Sequence, residues 1–192
     1  GTENVAIGAF ALDANTTANL NTAVGYNSLS ANTTGANNTG LGSNALLSNT
    51  TGANNTATGY IALDANTTGN RNTAVGSNAL TANTEGNNNV AVGHQALSSA
   101  TTADNNTAAG YQALSDCTTG DGNTAFGRKT LSANTTGTDN VAVGQQAGKA
   151  ITTGNTNIAI GGLAMSTNTV GDRNVAIGYS ALETYNPSSN ED

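Results

Sequence analysis

The stretch Asn174-Val175-Ala176-Ile177-Gly178 is one copy of a five-residue unit that recurs along the whole chain. The same pattern is found at Asn157-Ile158-Ala159-Ile160-Gly161 and as far back as Asn4-Val5-Ala6-Ile7-Gly8. Its closing glycines lie at positions 8, 25, 42, 59, 76, 93, 110, 127, 144, 161 and 178, which gives a strict 17-residue period with eleven copies. A period in this range without any insertion is typical of a solenoid, in which each repeat forms one coil and stacks on the next.

The full repeat reads Asn-(Thr/Val)-Ala-(Val/Ile)-Gly-x-x-Ala-Leu-x-x-Asn-Thr-Thr-Gly-x-x. Its first five residues alternate β-branched with small side chains and predict a short strand, whereas the glycines, Asn and Thr disfavour a helix. The Asn-Thr-Thr-Gly segment, as at 32–35, predicts a turn whose Gly adopts positive φ. The Ala-Leu pair, as in Ala79-Leu80, predicts a second short strand or arm.

These elements predict an all-β protein, a parallel β-solenoid or β-roll of eleven 17-residue coils over residues 1–182. Residues 183–192 are expected to form a polar tail or the start of a further segment. Coils that stack about 4.8 Å apart would build a rod roughly 50 Å long. One coil buries little apolar surface by itself, so association with further copies of the chain would add the burial that stability requires.

Alternation along the predicted strand assigns its two faces. The variable residues, such as Val90 and Val92, share one face, and the near-fixed Asn, Ala and Gly share the other. A face restricted to small residues indicates close packing, either against the opposite wall of the coil or against another subunit. In a trimer, this small face is the expected interface.

The Asn that opens each unit repeats in register on every coil, so these side chains are expected to form an amide ladder along the stack. The ladder residues are Asn21, Asn38, Asn55, Asn72, Asn89, Asn106, Asn123, Asn140, Asn157 and Asn174.

Composition limits the classes of partner. Only 9% of the 192 residues are charged, and the net charge of −7 is spread without acidic or basic blocks. Nucleic-acid binding and electrostatic membrane binding both need clustered Lys and Arg, so neither is expected. No apolar run approaches the roughly 20 residues of a membrane-spanning helix. The single Cys rules out an internal disulfide framework.

The sequence offers no constellation of catalytic groups. His94, the only histidine, follows a repeat glycine in a slot that elsewhere holds Tyr, Ser, Arg or Gln, as a variable exposed position would. Cys117 occupies a turn slot that elsewhere holds Asn, such as Asn49, and has no basic neighbour in sequence. No metal-binding spacing, phosphate-loop motif or constant acidic slot is present. We therefore expect no enzyme activity, no cofactor and no metal.

The motifs Asn88-Asn89-Val90-Ala91-Val92-Gly93 and Asp139-Asn140-Val141-Ala142-Val143-Gly144 resemble the head repeat of YadA-type trimeric autotransporter adhesins, Asn-Ser-Val-Ala-Ile-Gly. The longer unit is also similar to repeats of phage tail-fibre-like surface proteins. This resemblance implies a left-handed parallel β-roll, three chains packed side by side, and an adhesive role outside the cell, on a cell surface or virion. The repeat of this chain is longer than those of typical heads in that family, and we expect the extra residues to enlarge the turn.

The slot after the repeat glycine is the best candidate for binding, because it would align aromatic and polar side chains along the rod for a host-surface glycan or protein. Its residues include Tyr26, Tyr60, His94, Tyr111, Arg128 and Tyr179, together with Gln145.

Three classes of function follow. The first is a structural or adhesive fibre module, with a receptor-binding or spacer role and a homotrimeric assembly. The second is an ice-binding solenoid that uses stacked Thr, although Thr22-Ala23-Val24 supplies only one outward Thr on its strand. The third, a β-helical polysaccharide lyase or hydrolase, would need charged clusters and long loops, and the chain has neither. The stacked Thr residues are Thr16, Thr33, Thr50, Thr67, Thr84, Thr101, Thr118, Thr135, Thr152 and Thr169.

Overall fold

A computed structural model of the chain describes residues 1–185 and contains one three-residue strand in every repeat. All strands join one 11-stranded parallel sheet in chain order. Pairing joins residues 17 positions apart, as in Ala6 with Ala23 and Ala23 with Gly40. The predicted parallel β-solenoid with one coil per 17 residues is therefore confirmed. The strands are β1 Val5–Ile7, β2 Thr22–Val24, β3 Thr39–Leu41, β4 Thr56–Thr58, β5 Thr73–Val75, β6 Val90–Val92, β7 Thr107–Ala109, β8 Thr124–Phe126, β9 Val141–Val143, β10 Ile158–Ile160 and β11 Val175–Ile177.

The segment predicted as a C-terminal tail, 183–192, lies outside the described residues except for 183–185. Those three residues continue the last turn, where the Glu183 amide donates to the Ser180 carbonyl over 3.2 Å.

Each strand ends at a glycine whose backbone only glycine adopts readily. The φ values of these eleven glycines lie between 123° and 141°. A Cβ built on Gly76 would lie 2.6 Å from the carbonyl oxygen of Gly93 in the next coil. The repeat glycine therefore meets two demands, a φ that side chains disfavour and close backbone approach between coils.

Of the two alternatives for the Ala-Leu pair, a second short strand or an arm, the strand is not formed in the described residues. The leucines have left-handed φ values, such as 52° at Leu80 and 54° at Leu97, and they lie in turns. This conformation turns the chain and leaves the leucine side chains from Leu29 to Leu131 fully buried. A left-handed residue costs about 1–2 kcal/mol, and burial of a leucine contributes about 1.5–3 kcal/mol, so burial offsets the strain.

The prediction of positive φ at the turn glycines is also wrong. Gly69, which closes the segment 66–69, lies outside the left-handed range. Its Cβ would lie 2.5 Å from the Gly86 carbonyl oxygen, so a small residue is needed there for close approach between coils. Ala103 fills the equivalent slot of a later coil, as expected when φ is ordinary.

The small face of the strand lies inside the coil. Ala74 and Ala91, at the middle of their strands, are fully buried and belong to one core with Leu80 and Leu97. Of the two alternatives for this face, packing against the opposite wall of the coil is the one observed. The expectation that it forms a trimer interface is therefore wrong, because these side chains are already buried within the single chain and cannot contact another copy.

The Asn that opens each unit is buried and hydrogen-bonded from coil to coil. The backbone N–H of Asn72 donates to the side-chain Oδ1 of Asn55 over 2.9 Å, and the side-chain Nδ2 of Asn72 donates to the Gly86 carbonyl over 2.7 Å. Amide-to-amide bonds join the later members, as from Asn157 Nδ2 to Asn140 Oδ1 over 3.0 Å. The Asn72 Oδ1 in turn accepts from the backbone N–H of Asn89 in the following coil over 2.9 Å. An Asn of this ladder is thus bonded to both the preceding and the following coil, which fixes their relative position.

A second Asn stack lies in the turn and was not predicted as a ladder. Asn66 Nδ2 donates to Asn49 Oδ1 over 2.7 Å and to the Gly69 carbonyl over 3.0 Å. Later in the chain, Cys117 and Ile151 occupy this slot on either side of Asn134. Both amide atoms of the buried Asn134 lack hydrogen-bond partners.

We expect the substitution Gly76→Ala to lower the free energy of unfolding by roughly 1–3 kcal/mol, since it forces a side chain into a disfavoured φ. The matched control is Gly86→Ala, because a Cβ there would approach the Ala103 carbonyl oxygen to 2.4 Å, much as a Cβ on Gly76 approaches that of Gly93, but at an ordinary φ. The difference between the two losses therefore isolates the effect of φ. Urea unfolding followed by circular dichroism measures both. Equal losses would contradict the conformational explanation.

Asn66 is hydrogen-bonded within the second Asn stack and Asn134 is not, so we expect substitution by Cys to change stability differently at the two positions. Asn66→Cys removes paired hydrogen bonds from a buried site and should cost about 1–3 kcal/mol. Asn134→Cys removes an unpartnered amide beside Cys117, so it should leave stability unchanged or raise it. Thermal unfolding of the two variants decides the point, and a larger loss at position 134 than at 66 would refute it.

Candidate functional site

The outward side of the sheet is an exposed and largely apolar surface, which we call the strand face. It consists of the first and third residues of every strand, and Val92 and Phe126 are 42% and 46% exposed. Three residues across eleven strands span roughly 10 Å by 50 Å, or about 500 Å². A contiguous patch of this size usually marks an interaction site.

The strand face changes in character along the sheet. In β9, β10 and β11 both outward residues are aliphatic, as in Ile158 and Ile160. In β2 to β5 the first outward residue is Thr, and Thr recurs there in β7 and β8. The hydroxyls of these strand threonines make no side-chain hydrogen bond within residues 1–185. They are Thr22, Thr39, Thr56, Thr73, Thr107 and Thr124.

A step in side-chain size interrupts the strand face. Phe126 of β8 is paired in register with Ala109 of β7, so a large ring lies directly beside a methyl group. The smaller side chain leaves space above Ala109 that a neighbouring group could fill.

The slot after the repeat glycine forms a continuous exposed line, which we call the post-glycine line. The line exists because every coil repeats in register, so residues 17 apart become neighbours. Tyr60 is 58% exposed, and its neighbours in adjacent coils are Ser43 and Ser77. The rings of His94 and Tyr111 stack, with centroids 5.7 Å apart and planes 8° apart. The predicted binding residues Tyr26, Tyr60, His94, Tyr111, Arg128 and Tyr179 are all exposed on this line.

A second line, one residue further along the chain, borders the post-glycine line, and we call it the amide line. It carries Gln95, Gln112, Lys129 and Gln146 in consecutive coils. The Gln112 Nε2 donates to the Gln95 Oε1 over 2.9 Å. This bond leaves the Gln95 Nε2 and the Gln112 Oε1 for other partners.

The stacked turn threonines of the ice-binding hypothesis are engaged within the protein. The Thr33 hydroxyl donates to the Thr50 carbonyl over 3.0 Å, and the Thr67 hydroxyl donates to the Thr84 carbonyl over 3.0 Å. These side chains are half-buried, and the bond is repeated along much of the stack. A hydroxyl that already donates inside the protein has less capacity to order water outside it.

Metal-binding clusters and cavities are both absent from the described residues. Among residues 1–185 no group of three or more His, Cys, Asp or Glu side chains could hold a metal ion, and no cavity or cleft is present. Burial raises the pKa of the Cys117 thiol to about 11, which keeps it protonated at neutral pH. Within the same residues, no helix has the length and apolarity that crossing a membrane requires.

Comparisons of the chain with protein-family models, with curated proteins and with solved structures found no match.

Proposed function

We propose that the chain is a structural and adhesive fibre module, a rigid β-solenoid segment of an extracellular fibre on a cell surface or virion. It would serve as a receptor-binding segment or a spacer. The observation that carries the proposal is the strand face, an exposed apolar surface on a protein otherwise covered by polar turns. The resemblance of its repeat to YadA-type adhesin heads supports the same conclusion.

The proposed partner of the strand face is the strand face of two further copies of the chain, in a side-by-side homotrimer. A flat surface repeated at every coil is complementary to an identical surface in register. Burial of about 500 Å² per chain at about 25 cal/mol per Å² would contribute roughly 12 kcal/mol per chain before the costs of association. One coil encloses little besides Ala and Leu, so burial of the strand face would add to the small apolar area that each chain buries by itself.

The size step at Ala109 and Phe126 would fix the alignment of the copies. Rings from three copies at one level could tilt into the space above the alanines of the preceding coil. A shift of one coil towards β9 would instead place a ring level with Val143 of another copy, where no such space exists. The step would therefore disfavour a shift in that direction.

The strand face predicts where a charge disrupts assembly. Light scattering of the wild type should give a mass near three times 18.9 kDa, and Val92→Glu should shift it towards a single chain. A buried, unpaired carboxylate in the interface costs several kcal/mol. The control is Thr102→Glu, an exposed turn position whose equivalent one coil earlier is Glu85, and this variant should keep the wild-type mass. A monomeric wild type would refute the trimer.

An ice-binding function is the second candidate, and the unengaged strand threonines favour it. Thr22, Thr39, Thr56 and Thr73 form an unbroken outward row, and Thr58 adds a Thr-x-Thr pair with Thr56. These groups, rather than the turn threonines, would order water. The function requires a free strand face, so it excludes assembly through the same surface.

The ice-binding candidate predicts thermal hysteresis in a monomeric wild type. Replacement of Thr56 by Tyr would break the row of threonines and should lower the hysteresis, whereas the turn replacement Thr51→Tyr should leave it unchanged. A trimeric wild type without hysteresis would eliminate this candidate.

A further inference from the structure

We propose that the post-glycine and amide lines of the seventh to ninth coils, together with His94 and Gln95 of the sixth, bind an acidic linear saccharide. This inference rests on the proposed attachment function and assigns it a place and a class of ligand. The site comprises His94, Gln95, Tyr111, Gln112, Arg128 and Lys129, with Gln145 and Gln146 at its end.

Charge distinguishes this region from the remainder of the rod. The chain carries twelve Asp and Glu and five Lys and Arg, and three of those five cations lie between positions 128 and 149. No acidic residue occurs at any position of the post-glycine or amide lines. Within residues 1–185, neither Arg128 nor Lys129 takes part in an ion pair. The two adjacent cations are therefore available to an external anion, on a protein whose net charge is negative.

The neighbouring side chains suit a saccharide. The Gln95 Nε2 can donate to a sugar hydroxyl, and the Gln112 Oε1 can accept from one, because their mutual bond occupies only the opposite atoms. The stacked rings of His94 and Tyr111 form a preorganised aromatic surface next to these amides. Arg128 can hold a carboxylate or sulfate through two parallel hydrogen bonds.

The shape of the surface selects among acidic ligands. The groups lie on four consecutive coils and span roughly 15 Å along the rod, which suits an extended chain better than a single sugar. The described residues contain no pocket in which a peptide side chain could be anchored. Two adjacent cations are too few for the phosphate contacts of a nucleic acid. An extended saccharide that carries carboxylate or sulfate groups satisfies all three conditions.

The repeat supplies replacements that other coils already accommodate. Arg128→Ser introduces the residue found at Ser77, and Lys129→Asn introduces the residue found at Asn78. The matched control, Arg71→Asn, removes a cation from a different line, where Asn54 and Asn88 occupy the adjacent coils. These variants should fold and assemble as the wild type does.

Isothermal titration calorimetry with heparin and hyaluronan oligosaccharides tests sulfated and carboxylated ligands, with cellohexaose as the neutral probe and polyglutamate as the acidic peptide. We expect the wild type to bind at least one acidic saccharide and not the neutral one. The double variant Arg128→Ser/Lys129→Asn should bind about tenfold more weakly or worse, and Arg71→Asn should bind as the wild type does. Tyr111→Ser should weaken binding without changing its salt dependence.

Three results would overturn the proposal: no binding of either acidic saccharide, unchanged affinity in the double variant, or equal affinity for polyglutamate. Light scattering on the same samples distinguishes failure of the saccharide site from failure of the proposed trimer. A trimer that fails to bind would remove only the saccharide site, whereas a monomer that binds would remove only the trimer.

Discussion

Hydrogen bonding between residues 17 positions apart is the constraint on which the whole structure depends. The Asn that opens each unit links its own coil to the coils on both sides, as Asn72 does with Asn55 and Asn89. A coil with one residue more or less would lose these bonds while its polar groups stayed buried, at a cost of about 1–3 kcal/mol for each unpaired group. This cost explains why the period has no slip in eleven copies. Because the period is strict, equivalent residues of successive coils lie next to one another and form a line along the rod. The candidate sites are therefore lines rather than pockets.

Much of the fold could be predicted because periodicity alone carries it. The strands, their parallel order and the alignment of Tyr60, His94 and Tyr111 all follow from the repeat. The left-handed conformation of Leu80 did not follow, because it violates local propensity and becomes acceptable only through burial. The choice between the two strand faces also required coordinates. A face of small residues is compatible with both a narrow interior and a close interface, and sequence contains no measure of the width of the coil.

The strand face and the two lines that border it suit different kinds of partner. The strand face has an outward residue of every strand at the same two positions, and most of these residues are apolar, which suits a partner with the same period, such as another copy. The post-glycine line differs from coil to coil, with Ser77, His94, Tyr111 and Arg128 in succession. It can therefore distinguish one level of the rod from another. In the proposed function, adjacent residues of one repeat would serve association through the strand face and local recognition through the post-glycine line.

The parallel sheet in strict chain order has a consequence for how such rods change length. Within residues 1–185, every strand contacts only the strands of the adjacent repeats, so the sheet connects neighbouring repeats and not distant ones. Deletion or duplication of one 17-residue unit would join two coils that already have matching partners and would alter the rod by about 4.8 Å. Recombination between repeats can therefore change the length of the rod by whole coils, and the fold stays the same. Each step also adds or removes one residue of the post-glycine line, so a change in the length of the rod also changes the side chains displayed on its surface.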